Sequence, residues 1–483
     1  MKKERTFLGH PLGMGVLSVV QFGKGFANYG VSSILIYYLY KQAAQGGLGF
    51  SEDVASQLTT VYTTLSLLAG LLGGYLADRF FGLQRAMFWG NLSLFVGWAL
   101  LAVPHGGIPF YFASQVVLLI GFACMGSAQN ALVGRMYSKD DPKRDTGFGM
   151  LYVVSNVGAI SPMITGAIAM AFNYNAGFAL AALVQGVCFL TYALLHKKVF
   201  GDIGAEPTDP FPPEQKKKDM TVLVVALVVV LVALIVLFAT GILTAKTFSN
   251  GVSTISVFIP FVYIIYIVRS KKTNGRERVR MGAFVIFFIG VALTGMIFYL
   301  STSVLAVYAE KNVNTTLFGI HFSPASFQTA SAIFAVVFGS FFSWLWQALD
   351  RHQPSTAVKF GVGVFCYGFG PLFMAIPLSM LSNGGRQSPM WLIAFYAIIT
   401  IGEAIVSPLG GSVSSKLAPQ AFLAQVVTVW NLVNSTGSGM ATLSINFYQK
   451  GHESMFFIVI GVLTCLVGFI IWLFRSRLNK MLE

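Results

Sequence analysis

The sequence predicts an all-α polytopic membrane protein with about fourteen transmembrane helices. Three observations carry this prediction. Of the 483 residues, 55% are hydrophobic and only 10% are charged, whereas soluble proteins have roughly 25% charged residues. Apolar runs long enough to cross a bilayer alternate with short polar breaks, and most of the charge lies in those breaks. A soluble enzyme or scaffold of this length would need far more charge to cover its surface, so the composition excludes those classes.

The first six predicted spans precede a polar, proline-rich stretch. We predict an N-terminal six-helix bundle over residues 1–200 and a cytoplasmic linker over 201–219, which contains four prolines and three consecutive lysines. The spans lie near 14–41, 54–78, 86–104, 109–136, 147–172 and 176–195.

Two further spans follow the linker, near 220–245 and 250–268. The first consists almost entirely of Val, Leu, Ile and Ala. A helix that is apolar on all sides is buried or faces lipid, and a pore-lining helix needs a polar face. We therefore interpret residues 220–270 as two additional peripheral transmembrane helices.

A basic cytoplasmic loop over 271–281 leads into a C-terminal six-helix bundle over 282–483. Two six-helix halves predict the major facilitator fold, with a substrate site near the membrane midplane between the halves. The last six spans lie near 282–309, 325–349, 358–381, 389–413, 421–447 and 453–475.

The net charge of +14 arises from 32 basic and 18 acidic residues. Lys and Arg concentrate in the loops and termini of one side, whereas the other side has only five. Because basic loops stay in the cytoplasm, this asymmetry predicts a multi-pass plasma-membrane protein with both termini cytoplasmic. The basic excess therefore indicates contact with the lipid bilayer and gives no reason to expect a nucleic-acid partner.

The sequence shows no catalytic or metal-binding pattern. The four cysteines lie in apolar stretches without a CxxC spacing, and the six histidines lie near span ends. We predict no enzymatic activity, no cofactor and no metal site. A membrane acyltransferase would need a catalytic His/Asp pair or a metal cluster, and a non-transporting receptor is the other alternative. We expect a monomer.

Two charges fall inside predicted spans, Lys24 in the first and Glu403 in the tenth of the twelve core helices. A charge at the bilayer centre costs roughly 2.5–3.5 kcal/mol on insertion scales, so such residues usually face water or each other. Two interpretations stay open: a fixed Lys24–Glu403 ion pair that locks the halves together, or contact with substrate or a proton.

Polar and flexible residues surround both charges. Gln21 and Asn28 lie within two helical turns of Lys24, and the three glycines nearby allow close approach of a helix or a ligand. After Glu403, Pro408 frees a backbone carbonyl group, and the nearby glycines allow the helix to bend.

Residues 73–85 (GGYLADRFFGLQR) resemble the major facilitator motif between spans 2 and 3. In that superfamily the acidic and basic residues form a cytoplasmic charge latch between helices. The resemblance thus implies a conformational role for Asp78, Arg79 and Arg85.

Other blocks resemble the proton-dependent oligopeptide transporter (POT/PTR) family. Residues 145–152 (DTGFGMLY) with 155–159 (SNVGA) are similar to its RRDAGFSIFY…NLGA block, and 402–419 (GEAIVSPLGGSVSSKLAP) to its GE…SP…KLAP block. The two additional helices are typical of its bacterial members. The resemblance covers essentially the whole chain and implies alternating-access transport of small peptides with protons.

The chain departs from that family at several positions. Its first-helix motif, ExxERFxYYG, has lost both acids and the arginine, and Lys24 lies within the aligned segment. A family glutamate aligns with Tyr299 and a family asparagine with Ser331. The sequence therefore predicts an atypical member. The residues predicted to bind substrate are Gln21, Lys24, Asn28, Tyr29, Asn156, Tyr299, Ser331, Glu403, Trp430 and Asn434.

A zwitterionic peptide needs one anchor of each sign. We predict that Glu403 holds its ammonium group and Lys24 its carboxylate, and that any proton coupling uses Glu403. The alternative is a transporter or facilitator of a modified peptide or a non-peptide polar metabolite, with non-standard or no proton coupling.

Overall fold

The computed structural model is almost entirely helical. It describes residues 6–126, 128–138, 141, 143–207, 209–210, 212–317, 319–380 and 385–482. Of the motif and linker residues used above, the side chains of residues 73, 74, 145, 213 and 216 lie outside the described part of the chain.

Two short antiparallel hairpins accompany the helices. The first pairs β1 (Thr6–Phe7) with β2 (His10–Pro11), and the second pairs β3 (Thr316–Leu317) with β4 (Ile320–His321). Each strand has two residues, so the hairpins shape turns and contribute no layer to the fold.

The chain divides into two compact units. The first unit comprises residues 1–49 and 65–248, and its fully buried large side chains include Trp98, Tyr111, Phe178 and Tyr192. Its helices are α1 (Leu12–Tyr40), α2 (Glu52–Leu76, from residue 65 onward), α3 (Leu83–Ala102), α4 (Gly107–Met125), α5 (Ala128–Met136), α6 (Lys143–Gly158), α7 (Ser161–Ala171), α8 (Tyr174–Phe200) and α9 (Pro213–Ala239).

The second unit comprises residues 50–64, which form the first part of α2, and residues 249–483. Its remaining helices are α10 (Ala245–Arg269), α11 (Gly275–Thr302), α12 (Val304–Asn312), α13 (Phe327–Leu349), α14 (Thr356–Ser379), α15 (Met390–Val406), α16 (Gly410–Leu417), α17 (Leu423–Asn431), α18 (Val433–Ile445), α19 (Glu453–Leu473) and α20 (Arg475–Leu482).

Ten helical segments in the described residues are long and apolar enough to cross a membrane. In addition, α1, α2 and α3 have 29, 25 and 20 residues, and α17 and α18 together follow the span predicted at 421–447. The predicted all-α polytopic architecture is confirmed. The ten segments are 107–136, 146–171, 174–200, 217–239, 245–269, 275–312, 324–349, 356–379, 390–417 and 453–473.

Small residues let the helices of the second unit pack closely. Between α14 and α19, a Cβ atom added at Gly361 would lie 2.9 Å from the carbonyl oxygen of Gly468, and one at Gly461 would lie 2.8 Å from that of Gly368. Without a hydrophobic driving force between membrane helices, association depends on such close backbone packing. The high glycine content, 50 residues, thus has a direct structural use.

The two additional helices differ from each other. The described side chains of α9 from Val222 to Val230 are all exposed, as expected for a helix that faces lipid. In contrast, α10 buries Ser249, Ser253 and Ser256 in the second unit. This differs from the interpretation of a uniformly apolar pair, because the three serines lie on one helical face and need polar partners.

Candidate functional site

Lys24 lies in the middle of α1, between two close helix contacts of the first unit. A Cβ atom at Gly23 would lie 2.6 Å from Sγ of Cys188 on α8, and one at Gly25 would lie 3.2 Å from the carbonyl oxygen of Ser155 on α6. The glycines predicted to permit close approach therefore admit neighbouring helices. Both neighbours of Lys24 in the sequence are buried, and Lys24 itself is half-buried.

Lys24 has no acidic partner among the described residues of its own unit. Among the described residues of the first unit, its ammonium group forms no ion pair and no hydrogen bond. A half-buried ammonium group in a membrane helix without a partner loses hydration and gains nothing in return. Binding of an anion would offset this loss of hydration.

The other predicted residues of the first unit are half-buried or exposed. Gln21, Asn28 and Asn156 are half-buried, and 40% of the surface of Tyr29 is exposed. The amide of Asn156 donates a hydrogen bond to the carbonyl oxygen of Tyr152, one turn earlier in α6, at 2.9 Å.

Glu403 lies in the last turn of α15, just before the chain leaves regular α-helix. The span predicted over 389–413 is interrupted at Pro408: α15 ends at Val406, a 3-10 turn covers Ser407–Leu409, and α16 begins at Gly410. Glu403 is half-buried, and among the described residues of the second unit its carboxylate has no ion pair or hydrogen bond.

Tyr367 of α14 is a neighbour of Glu403 that the sequence did not single out. Its side chain is buried and lies close enough to Glu403 and Tyr299 for electrostatic interaction. Contact between α14 and α15 is tight here, because a Cβ atom at Gly402 would lie 2.8 Å from Cδ2 of Tyr367. Tyr367 thus lies near both the carboxylate of Glu403 and the phenol of Tyr299 within the second unit.

Trp430 lies in an apolar cluster and is 9% exposed. Its ring contacts Phe284 edge-on at a centroid distance of 5.7 Å, and its indole nitrogen faces Gly410 of α16. Of the other predicted residues, Ser331 and Tyr299 are half-buried and Asn434 is exposed.

The predicted latch residues belong to the first unit and have two different partners. Nη2 of Arg79 lies 2.9 Å from Oδ2 of Asp209 in the linker, and Oδ1 of Asp78 lies 3.9 Å from Nη2 of Arg135 on α5. Arg85 is exposed and forms no ion pair with the described residues. The structure thus separates Arg85 from the other two.

The amino-terminal hairpin is tied to the end of α5. Nδ1 of His10 and the hydroxyl of Tyr137 lie 2.8 Å apart, and Nζ of Lys143 donates to the carbonyl oxygen of Gly9 at 3.0 Å. Burial, together with the negative charge of Asp141, raises the pKa of Tyr137. The phenol therefore stays protonated at neutral pH, and its hydroxyl can donate to or accept from Nδ1 of His10, depending on the tautomer of the imidazole.

Within the described residues, no group of three or more His, Cys, Asp or Glu side chains is placed to hold a metal ion. The two charges predicted inside spans, Lys24 and Glu403, both lie on long apolar helices, one in each unit.

The fold and these charges define a polytopic transporter. A family model described as the POT family matches residues 84–463. The chain belongs to the POT family.

Relatives agree along the full length. The chain is 34% identical over 481 residues to an uncharacterized transporter, YclF, of Bacillus subtilis (strain 168), with 99% of this chain and 96% of that protein covered. It is 33% identical over 491 residues to a di-/tripeptide transporter of Lactococcus lactis subsp. cremoris, which covers 100% and 98% of the two chains.

Solved structures agree as well. A crystal structure of a peptide transporter POT in complex with sulfate matches with a TM-score of 0.94 and 34% identity, covering 99% of this chain and 97% of that one. A POT family transporter in complex with 5-aminolevulinic acid matches with a TM-score of 0.91 and 31% identity, covering 99% and 98%. The predicted fold is confirmed.

Close packing behind Glu403 gives a first testable expectation. In Gly402→Ala, the added methyl group would lie 2.5 Å from the carbonyl oxygen of Gly363 and 2.8 Å from Tyr367. Overpacking of this kind costs about 1–3 kcal/mol, so we expect a lower melting temperature of the detergent-purified protein. Gly411→Ala is the matched control, because nothing lies within 4 Å of a Cβ atom there. Equal melting temperatures for the two variants would contradict this packing.

Proposed function

We propose that the chain transports di- and tripeptides, or peptide-like small molecules, across the plasma membrane by alternating access. One observation carries the proposal: Lys24 in the first unit and Glu403 in the second lie inside predicted spans, are half-buried and have opposite signs. Neither has an ion-pair partner among the described residues of its own unit. A zwitterionic peptide has one group to match each charge. Membership of the POT family supports the same substrate class.

The charges take complementary roles in this proposal. The carboxylate of Glu403 binds the ammonium group of the peptide, and the ammonium group of Lys24 binds its carboxylate. Charge-assisted hydrogen bonds contribute about 1.5–3 kcal/mol each. Lys24 thereby replaces the arginine and lysine that the chain lacks at the family's usual positions.

Uncharged groups complete the proposed site. Amides and phenols orient the peptide backbone without fixing its side chains, which suits a transporter that accepts many sequences. The proposed residues are Gln21, Asn28, Tyr29 and Asn156 in the first unit and Tyr299, Ser331, Trp430 and Asn434 in the second. For Asp78, Arg79 and Arg85 we propose a role in conformational change.

Proton coupling, as we propose it, uses Glu403, the acidic residue placed farthest from the span ends in the sequence. A protonated carboxyl group can no longer hold an ammonium group by charge, so protonation and peptide release would be linked. We further propose that both termini are cytoplasmic, that residues 1–200 and 282–483 form the two six-helix bundles, and that a monomer suffices. Transport without catalysis is the expected activity.

A non-peptide or modified substrate is the second candidate. Two observations favour it: the first-helix acids typical of the family are absent from this sequence, and a 31% identical relative was solved with 5-aminolevulinic acid. That ligand carries an amino group and a carboxylate, so it would satisfy the same two anchors.

A ligand screen followed by uptake tests the proposal. Thermal shift would be measured with di- and tripeptides, free amino acids, 5-aminolevulinic acid and nitrate. Uptake of the best ligand into proteoliposomes would follow, with and without an imposed pH gradient. We expect stabilisation by peptides and faster uptake with the gradient. Equal uptake rates would indicate a facilitator, and stabilisation by non-peptides alone would favour the second candidate.

A further inference from the structure

The second additional helix, α10, is joined to α18 by hydrogen bonds within the second unit. Oγ of Ser256 has two acceptors within reach, the carbonyl oxygen of Ser253 in its own helix at 2.9 Å and that of Ser435 on α18 at 3.3 Å. Oγ1 of Thr436 likewise reaches the carbonyl oxygen of Leu432 at 3.1 Å and that of Ser256 on α10 at 3.3 Å. Ser256, Ser435 and Thr436 are at most 1% exposed. In a membrane interior, such hydroxyl groups need protein partners, and here each helix supplies partners for the other.

The two helices also approach each other closely. A Cβ atom at Gly439 of α18 would collide with Oγ of Ser256 and lie 3.0 Å from the carbonyl oxygen of Ser253. Only glycine allows this approach. Farther along the same pair, Nδ2 of Asn446 donates to Oδ1 of Asn250 at 2.9 Å. These contacts, from Asn250 to Ser256 on α10 and from Ser435 to Asn446 on α18, form what we call the α10–α18 seam.

The opposite face of α18 is equally close to α11. A Cβ atom at Gly437 would lie 2.8 Å from the carbonyl oxygen of Ala292 and 3.0 Å from Cα of Gly295. Helix α18 is thus held between α10 and α11, with a glycine facing each neighbour. If α18 were pushed away from α10, there would be no free space on its α11 side to accommodate the shift.

The seam reaches the predicted substrate residues at its Ser435 end. The span is interrupted between α17, which ends at Asn431, and α18, which begins at Val433. Trp430 and Asn434 lie on the two sides of this interruption, and Ser435 and Thr436 follow Asn434 directly. The first turn of α18 therefore holds a proposed substrate residue and the contacts with α10.

We propose that α10 positions the substrate-binding segment 430–434 through the α10–α18 seam, with Ser256 and Gly439 as positioning residues. The inference rests on the proposed function, since it concerns the same site. It gives α10 a role beyond spanning the membrane. Because α10 fixes the direction of α18 at its first turn, it fixes where Asn434 lies.

The test adds a methyl group to α18 and then, in a second variant, removes the side chain on α10 that this methyl group would meet. Gly439→Ala would push α18 away from Ser256, and Ser256→Gly in the same chain would remove the hydroxymethyl group that the methyl meets. For peptide uptake by Gly439→Ala, we expect a KM raised about tenfold with kcat changed less than about twofold, since misplaced binding groups weaken ground-state binding. The double variant is expected to recover most of the wild-type KM.

Gly251→Ala is the matched control on α10, because a Cβ atom there meets nothing within 4 Å. A merely structural role would lower the amount of folded protein and the maximal uptake rate but leave KM unchanged. An unchanged KM in Gly439→Ala, or no recovery in the double variant, would overturn the inference. A Gly439→Ala chain that fails to fold, with a double variant that also fails, would overturn it as well.

A second readout does not depend on the substrate. With the four native cysteines replaced by alanine, Asn434→Cys would be labelled by a maleimide, since Asn434 is exposed. We expect Gly439→Ala to change the labelling rate at least about threefold, Ser256→Gly to restore it, and Gly251→Ala to leave it unchanged. If the wild type transports no peptide, the proposed function is wrong, but the labelling rates still test whether the α10–α18 seam positions Asn434. An unchanged labelling rate in Gly439→Ala would overturn that positioning role.

Discussion

Replacing Glu403 with Gln is expected to abolish peptide-induced thermal stabilisation and to reduce peptide uptake severely. Glu403 is the proposed anchor of the peptide ammonium group, and its carboxylate has no ion-pair partner among the described residues of its unit. Loss of one charge-assisted hydrogen bond, about 1.5–3 kcal/mol, corresponds to roughly 10–150-fold weaker binding. Because ligand stabilisation depends on ligand concentration relative to Kd, the shift would disappear at ordinary peptide concentrations.

The control for this variant is Glu214→Gln. Glu214 is an exposed acid in the first turn of α9, so its replacement removes the same charge far from the proposed site in sequence. Glu214→Gln should retain the full peptide-induced shift. A full shift in Glu403→Gln as well would remove Glu403 from the site.

Replacing Lys24 with Ala is the second change with a large expected effect. It removes the anchor for the peptide carboxylate, so peptide binding should again weaken by roughly 10–150-fold. We expect Lys24→Arg to retain part of the activity, because arginine keeps the charge and can bind a carboxylate with two hydrogen bonds. Uptake into proteoliposomes and thermal shift measure both effects.

Lys41→Ala is the matched control, because Lys41 caps the end of the same helix. The double variant Lys24→Ala/Glu403→Ala separates the two interpretations of these charges. If they formed a fixed ion pair, each single variant would lower the melting temperature without ligand, and the double variant would recover it. If they bind substrate, the single variants should lose the ligand shift and keep the melting temperature.

Much of the fold follows from the order of apolar and polar residues along the chain. Runs of about 20 apolar residues require helices in a bilayer, since only internal hydrogen bonds can satisfy the backbone there. Bending after Glu403 was predictable because Pro408 lacks an amide hydrogen, but the full interruption of the helix was not. Lys24 and Glu403 could also be identified from the sequence, because a charge inside an apolar run is costly and usually has a functional role.

The partners of these residues were not predictable. Tyr367 lies 36 positions before Glu403 in the sequence, and only the close packing of α14 on α15 brings it near the carboxylate. Hydrophobic periodicity shows which residues are apolar, but it does not show which helices become neighbours. The association of Arg79 with Asp209 in the linker was missed for the same reason.

The α10–α18 seam shows a second limit of sequence reasoning. Ser253 and Ser256 stand among Val, Ile and Phe, so the helix as a whole still looks apolar. Their role depends on Gly439, almost 190 residues later, which removes the side chain that would keep the helices apart. Neither the serines of α10 nor Gly439 indicates this contact in the sequence, and only the folded chain brings them together.

Counterflow in proteoliposomes tests the central claim most directly. Liposomes loaded with unlabelled dialanine would receive a trace of labelled dialanine outside, without a pH gradient, for the wild type, Lys24→Ala and Glu403→Gln. Exchange needs binding and alternating access but no net proton movement. We predict accumulation of label by the wild type and levels near those of empty liposomes for both variants. Wild-type accumulation no greater than that of empty liposomes, or full accumulation by both variants, would contradict a peptide transporter anchored by Lys24 and Glu403.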